Sequence, residues 1–235
     1  MRVTVLATSV ALLGVAHAAN MTQGFDISSE DSDVDFEGAY NAGARYVSIR
    51  VTQGADTIDE SAEKYWQQAK DAGLITQATH RLDPRQSPPK EQLDFFLKNG
   101  GDWGPGNFSL PGVLEILPNP NPDEDSCYGF ESDELADYLR VWTTAYFDKY
   151  HRYSTLRVNT EWWDNCTYEQ DLTYVASVTE FNVIDHVNTT IPEYYPYPWV
   201  WAYWQNAEHY EFGGKSAVSS DDYKTLKKHT NCHYC

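Results

Sequence analysis

Short apolar segments alternate with amphipathic segments along most of this 235-residue chain, and this alternation limits the possible folds more than any other feature. Apolar residues in short β-branched runs predict strands, and apolar residues three or four apart predict helices. The predicted strands are 24–28, 45–51, 74–80, 113–117 and 156–159, and the predicted helices between them are 36–42, 60–72, 88–98 and 132–151. Strands that alternate with helices pair in parallel. Since no repeat or linker marks a second domain, the sequence predicts an α/β fold with one closed β/α barrel.

The pattern changes after the fifth predicted strand. Two extended segments follow, 175–187 in part and 199–205, with less helix between them, and a short helix is predicted at 221–229. The expected fold is therefore an irregular TIM-like barrel in which five β/α units are followed by extra strands. Gly73 is placed to end one helix in the left-handed conformation, and Ser132 is the predicted N-cap of another.

Residues 1–18 have the pattern of a secretory signal peptide. Arg2 precedes an apolar run, and Ala16-His17-Ala18 provides a small-x-small cleavage site. That run is too short to span a bilayer, and no later segment contains the roughly 20 apolar residues that a span requires. The sequence therefore predicts a secreted, extracellular domain over residues 19–235.

Acidic residues outnumber basic ones by 35 to 17, which gives a formal charge of -18. Such a surface repels nucleic acid and anionic membranes, so neither is expected as a partner. The same charge disfavours polyanionic bacterial walls, whereas a neutral polysaccharide such as chitin would be indifferent to it. The simpler interpretation is that the acidity keeps an exported monomer soluble.

Several segments, taken in their order along the chain, resemble the family 25 glycoside hydrolases, which are secreted lysozymes of the N-acetylmuramidase type. The matching segments are Gly24-Phe25-Asp26-Ile27-Ser28, the strand that ends Thr52-Gln53-Gly54, the run Gln77–Pro84, Gly112–Leu117 with Asn119-Pro120, Thr160-Glu161-Trp162-Trp163, and Tyr203-Trp204-Gln205. The resemblance covers nearly the whole mature chain. It implies a barrel that is irregular after the fifth strand, and a cell-wall glycan partner, either peptidoglycan or a chitin-like polymer. No cofactor or metal is expected.

The departures from the family fall on its acidic positions. The family strand that leads into Asn-Pro carries an Asp-x-Glu pair, and this chain has Glu115 and Leu117 at those positions. Gln53 stands where the family has a glutamate, and Ala217 where it has an aspartate, whereas Asp26 is retained. The run around His80 also departs from the family, at Thr79 and Arg81. The resemblance thus implies catalytic positions only at Asp26 and Glu115, with the acid lost at Leu117.

Cleavage of a glycosidic bond requires a protonated carboxyl to supply the leaving oxygen with its proton. Residues two apart on a strand face the same way but lie about 6.6 Å apart, so Glu115 is expected to lie too deep to replace an acid at Leu117. Hydrolysis is therefore expected to be weak or lost. Two alternatives remain open: an active muramidase whose acid comes from a loop, and a non-catalytic interaction protein. The candidate loop acids are Asp123, Glu124, Asp125 and Glu131.

Positions inside the matching segments are the candidate substrate contacts, namely Gln53, His80, Asn119, Trp162, Tyr203 and Gln205. His80 has a second interpretation as a core histidine, and Asp26 has one as a structural hydrogen-bond acceptor. In the aromatic run 194–210, strand alternation places Trp201 and Tyr203 on one face and Trp204 on the other. One face should fill the barrel, and rings on the other either stack on sugars or pack.

The four cysteines of an exported chain favour disulfides. Cys127 and Cys166 match a bridge of fungal members of the lysozyme family, so the resemblance pairs them. Cys232 and Cys235 end the chain beside His229, and a second disulfide is expected rather than a metal cluster, because zinc requires four organised ligands. Glycosylation sequons begin at Asn20, Asn107, Asn165 and Asn188.

Overall fold

The computed structural model describes residues 21–167, 179–187 and 201–231. Within these residues the strands are β1 Thr22–Ile27, β2 Tyr46–Gln53, β3 Thr57–Ile58, β4 Ile75–Arg81, β5 Ser109–Ile116, β6 Ser154–Asn159, β7 Thr179–Ile184, β8 Trp201–Ala207 and β9 Lys215–Ser219. The helices are α1 Phe36–Asn41, α2 Ala62–Asp71, α3 Pro89–Phe96, α4 Ser132–Tyr150, α5 Thr160–Cys166 and α6 Tyr223–His229, and a π-helical turn, Leu97–Gly101, follows α3.

Eight of these strands close into a barrel. β1, β2, β4, β5, β6, β7 and β8 are parallel to their neighbours, and β9 closes the sheet by pairing antiparallel with both β8 and β1. β3 only extends β2 as a short hairpin. The prediction of a β/α barrel with extra strands after the fifth unit is confirmed. No helix among the described residues has both the length and the apolar character needed to cross a membrane.

Some local predictions are confirmed and others are wrong. Gly73 ends α2 with a φ of +85°, as expected for a left-handed cap. The predicted N-cap Ser132 is instead the first residue of α4, because Glu131 and Glu134 form a capping box in front of it. No strand is predicted at β9 and no helix at α5, yet both are present. The signal segment and the Cys232 to Cys235 pair lie outside the described residues.

Strand alternation divides β4 between two environments. Ile75 joins an inner apolar cluster with Tyr46 and Tyr203, and Thr79 and Arg81 on the same side reach the mouth of the barrel. The alternate residue His80 packs instead on the helix side, 5.7 Å from Phe96 between ring centroids. The main apolar core therefore lies between the sheet and its helices, and the barrel interior is apolar at the bottom and polar at the top.

The Gly-Phe-Asp segment of β1 connects these layers. A Cβ at Gly24 would lie 2.3 Å from the ring of Tyr46, so only glycine leaves room for that ring in the inner cluster. Phe25 points to the main core, where its ring lies 6.1 Å from that of Phe36. Asp26 again faces the interior, which places its carboxylate at the mouth.

The predicted division of the aromatic strand is wrong. Tyr203 enters the inner cluster, but Trp201 packs edge-on against Trp204, with ring centroids 6.3 Å apart. The pairing of β7 with β8 slips by one residue at Ala202, and this irregularity breaks the two-residue alternation that the prediction assumed. The rest of the run, including Trp199, lies outside the described residues.

Candidate active site

The carboxyl ends of the parallel strands bring two acids and one arginine together at the barrel mouth. Arg157 on β6 donates from Nη2 to Asp26 Oδ1 at 2.7 Å and pairs through Nη1 with Glu115 Oε1 at 3.4 Å. Gln205 on β8 donates from Nε2 to the other oxygen of Asp26 at 2.6 Å. Both oxygens of Asp26 are thus held by side chains of the protein itself.

Glu115 is fixed as a carboxylate. Its side chain is almost completely buried, and Arg81 donates from Nε to its Oε2 at 2.8 Å. Burial acts to raise the pKa of Glu115, but the charges of Arg81 and Arg157 outweigh it and lower the pKa to about 2. Glu115 is therefore almost entirely ionised at mildly acidic to neutral pH.

The pKa of Asp26 is shifted in the opposite direction. Burial raises the pKa of Asp26, while the charge of Arg157 and the hydrogen bond from Gln205 act against that rise. Its carboxylate is 5% exposed. A buried acid whose two oxygens both accept hydrogen bonds from other residues matches the interpretation of Asp26 as a structural acceptor.

More charges line the rim above this pair. Arg50 donates to Glu30 at 2.8 Å and contacts Asp59 at 3.3 Å, and Arg81 Nη1 lies 3.6 Å from Glu30. The hydrogen bond from Arg50 lowers the pKa of Glu30, so Glu30 is also ionised. Lys215 opens β9 opposite Asp26. The solvent space left among these side chains is about 20 Å³, enough for about one water molecule.

Sequence reasoning missed this group of cations. Arg81 entered only as a departure from the family run, and Arg50 and Arg157 were not singled out. A signal was present, because Arg157 stands between the apolar residues Leu156 and Val158 of a predicted strand. A charged residue inside a buried strand needs a partner of opposite charge, and Asp26 and Glu115 provide it.

The structure places His80 on the helix side of the sheet and not in the lining of the pocket at Asp26. The ring is fully buried and hydrogen-bonds to Thr52 at 2.9 Å and Gln92 at 3.1 Å. Burial is the main cause that lowers the pKa of His80 to about 4, so the ring is neutral. These surroundings match the core-histidine interpretation.

Three other expected contacts are also engaged elsewhere. Trp162 is 2% exposed and donates to the carbonyl oxygen of Ser126, and Tyr203 lies in the inner cluster. Asn119 is buried and holds its own loop through the backbone of Asp125. These three side chains are buried in contacts within the protein, and their role as substrate contacts stays a prediction.

Of the expected substrate contacts, Gln205 alone lines the pocket that contains Asp26. Gln53 is half-buried at the end of β2 and lines a neighbouring cavity with Ser29 and Glu60. The geometry therefore joins Asp26, Glu115 and Gln205 and leaves Gln53 beside them.

Leu117 lies one residue beyond the end of β5 and is half-buried. Its carbonyl oxygen accepts a hydrogen bond from the hydroxyl of Tyr128 at 2.9 Å, which fixes the backbone at this point. The chain thus has a hydrocarbon side chain where the strand leaves the barrel, two residues after the buried carboxylate of Glu115.

The loop acids that could replace a proton donor have other contacts. Glu124 forms an ion pair with Arg85, and hydrogen bonds from Asn119 and Arg85 lower its pKa. Asp125 accepts from the backbone of Gly129, and Glu131 caps α4. All four loop acids, including Asp123, are exposed, and none of them lines the pocket at Asp26.

A disulfide joins Cys127 to Cys166, so the predicted pairing is confirmed. It ties the loop after β5 to α5. No group of three histidine, cysteine or acidic side chains within residues 21–167, 179–187 and 201–231 is arranged to hold a metal ion.

Comparison with known proteins adds the family context. The chain matches the family described as "Glycosyl hydrolases family 25" over residues 25–215. It is 32% identical over 215 residues to the N,O-diacetylmuramidase of Chalaropsis sp, covering 88% of this chain and 97% of that protein. It is 30% identical over 213 residues to the N,O-diacetylmuramidase of Arthroderma benhamiae, covering 89% and 87% of the two chains.

Solved structures give the same result. A family GH25 lysozyme from Aspergillus fumigatus superposes with a TM-score of 0.82 at 30% identity, covering 90% of this chain and 100% of the other. The muramidase from Acremonium alcalophilum has a TM-score of 0.82 at 27% identity, with coverage of 89% and 99%. The resemblance therefore extends over the whole barrel.

Proposed function

Because the chain belongs to the family 25 glycosyl hydrolases, we propose that it is a secreted lysozyme-like protein that binds N-acetylated cell-wall polysaccharide and hydrolyses it poorly or not at all. In this proposal residues 1–18 direct export, and the barrel mouth is the glycan-binding face. The glycan class follows from the relatives, whose names describe them as muramidases.

The main support for a loss of activity is that Arg157 and Arg81 form ion pairs with Asp26 and Glu115. With a pKa of about 2, Glu115 would be protonated in roughly one molecule in a thousand at pH 5. General acid catalysis contributes about 10²–10⁴ in rate, so a site without a proton donor loses at least that factor.

Two further features support the same conclusion. Leu117 offers no proton at the position where the family has its acid. The guanidinium groups occupy the space beside Asp26, so a sugar ring could approach the carboxylate only after they move. The engaged loop acids favour this proposal over the alternative of an active muramidase with a displaced acid.

A paired assay tests the proposal. Peptidoglycan turbidity and reducing-end release are measured for the wild type and for Asp26→Asn, with an active family 25 lysozyme as the positive control, and binding is measured by co-sedimentation with insoluble peptidoglycan and chitin. We expect binding without turnover. Robust turnover by the wild type that Asp26→Asn abolishes would contradict the loss of activity, and failure to co-sediment with either polymer would favour a non-glycan interaction protein.

A further inference from the structure

Four of the few basic side chains of this acidic chain lie together at the mouth of the barrel, among carboxylates. Arg50, Arg81, Arg157 and Lys215 line one pocket together with the carboxylates of Asp26, Asp31 and Glu115, whereas the whole chain has only 17 basic residues and a formal charge of -18. Basic residues are few in this chain, so four basic side chains around one small pocket indicate a site that binds carboxylates.

The deepest cation is fully committed to the protein. Arg157 is buried between Asp26 and Glu115, and Arg81 shares Glu115 with it. The Arg157 Nε atom is buried without a hydrogen-bond partner, so even this side chain is not completely satisfied by its neighbours. These contacts hold the side chains at the base of the pocket, and the other cations lie nearer to solvent at its rim.

At the rim, a single exposed carboxylate occupies two guanidinium groups. The Glu30 side chain is 61% exposed, yet it contacts Arg50 at 2.8 Å and Arg81 at 3.6 Å, whose side chains are only 10% and 20% exposed. A buried guanidinium group with fixed geometry binds a carboxylate well. An ion pair with an exposed carboxylate on a loop contributes little to the stability of the protein. Glu30 is therefore a partner that another carboxylate can replace.

Lys215 supplies the remaining charge. Its Cα pairs with that of Asp26 across β9 and β1, and it lines the same pocket. Over the residues that the structure describes, no carboxylate oxygen lies within 4 Å of its ammonium group. The rim thus combines two preorganised guanidinium groups with an ammonium group that acts on Asp26, Glu30 and Glu115 through its charge but forms no ion pair with a residue that the structure describes.

We propose that this rim binds the carboxylate of an acidic sugar, which displaces Glu30 from Arg50 and Arg81 and pairs with Lys215. The inference rests on the proposed glycan-binding function and narrows its ligand class. The sugar carboxylate takes the place that the Glu30 carboxylate occupies in the free protein, so the site binds one negatively charged group.

The overall charge of the protein sets the form of this ligand. A charge of -18 repels a dense polyanion, but at physiological ionic strength the field is screened beyond about 8 Å. An isolated carboxylate on an otherwise neutral oligosaccharide avoids most of the repulsion and still meets the rim cations at contact distance. The proposed ligand is therefore an N-acetylated chain with a single acidic sugar.

The test uses two trisaccharides that differ only in charge. Chitotriose and the same molecule with the terminal C6 oxidised to a carboxylate are titrated by calorimetry into the full-length protein at low and high salt. We expect the acidic trisaccharide to bind more tightly than chitotriose, with a difference that shrinks at high salt. Since a charge-assisted contact is worth about a factor of ten, Lys215→Gln should weaken the acidic ligand roughly tenfold, and Glu30→Gln should tighten it by a similar factor.

Two exposed charges serve as matched controls. Lys149→Gln and Glu124→Gln remove charges of the same type from ion pairs away from the pocket, and both should leave the affinity unchanged. Equal binding of the two trisaccharides, or a Glu30→Gln variant that binds the acidic one no better than the wild type, overturns the inference while the proposed function stands. Binding of neither overturns both, and cleavage of a tightly bound acidic trisaccharide overturns only the loss of hydrolysis.

Discussion

Arg157 and Asp26 form an ion pair of 2.7 Å between side chains that are 3% and 5% exposed, at the point where a family 25 barrel opens to solvent. Through its second terminal nitrogen Arg157 also reaches Glu115, so one guanidinium group spans both of the retained acidic positions. The charges of Asp26 and Glu115 are thus both paired with one cation inside the protein.

Removing this arginine should strongly destabilise the fold. Arg157→Met leaves Asp26 and Glu115 buried beside each other without the cation between them, and breaking a buried pair in this way costs about 3–5 kcal/mol. Urea unfolding at neutral pH measures the change. Arg140→Met is the matched control, since it breaks an exposed helical pair with Asp137 that is worth about 0–1 kcal/mol. Equal losses in the two variants would show that the buried network does not stabilise the barrel.

Restoring an acid after β5 should restore some hydrolysis. Leu117→Glu places a carboxyl at the half-buried end of the strand, where it is not held by Arg81 as Glu115 is, and a working general acid is worth about 10²–10⁴ in rate. Reducing-end release from peptidoglycan is the measurement. Leu117→Gln has the same shape without the proton, so it should remain at the wild-type level. If Leu117→Glu gives no gain, the missing carboxylates at Gln53 and Ala217, or the arginines at the pocket, limit the reaction instead.

The buried imidazole of His80 should make stability fall below pH 6.5. Its pKa is lowered to about 4 chiefly by burial, so between pH 6.5 and 4 the unfolded chain binds a proton that the folded protein does not. The stability associated with a neutral His80 is therefore complete above pH 6.5 and is lost progressively toward pH 4, by about 3 kcal/mol in all. Urea unfolding of the wild type and of His80→Gln across this range isolates the effect. Parallel pH profiles for the two proteins would contradict it.

Loss of the Cys127–Cys166 bridge should destabilise the barrel mouth. The bridge closes a loop with a sequence separation of 39, and the chain-entropy estimate for such a loop is about 3–4 kcal/mol. Thermal or urea unfolding of a Cys127→Ser/Cys166→Ser double variant measures this loss. Adding reductant to the double variant separates any contribution of Cys232 and Cys235. A double variant as stable as the wild type would show that the loop is held by its other contacts.

Much of the fold follows from local patterns in the sequence. Each predicted β/α unit has a strand or helix signal of its own, and the end of α2 at Gly73 follows from the need for a positive φ. Elements whose signal is not local were missed. The five residues of β9 have no strand pattern and become a strand because β8 and β1 both offer them hydrogen bonds.

The candidate site divides in the same way. The sequence alone identified the family from the order of several short segments, and it identified the retained Asp26 and the hydrocarbon at Leu117 because each is a single residue within one of those segments. Only the tertiary structure brought Arg157, 131 positions away along the chain, onto Asp26. An ion pair between strands that are distant in sequence requires two side chains that face the barrel interior at the same level along the barrel axis. That property is set by sheet closure and strand register, and no stretch of sequence contains it.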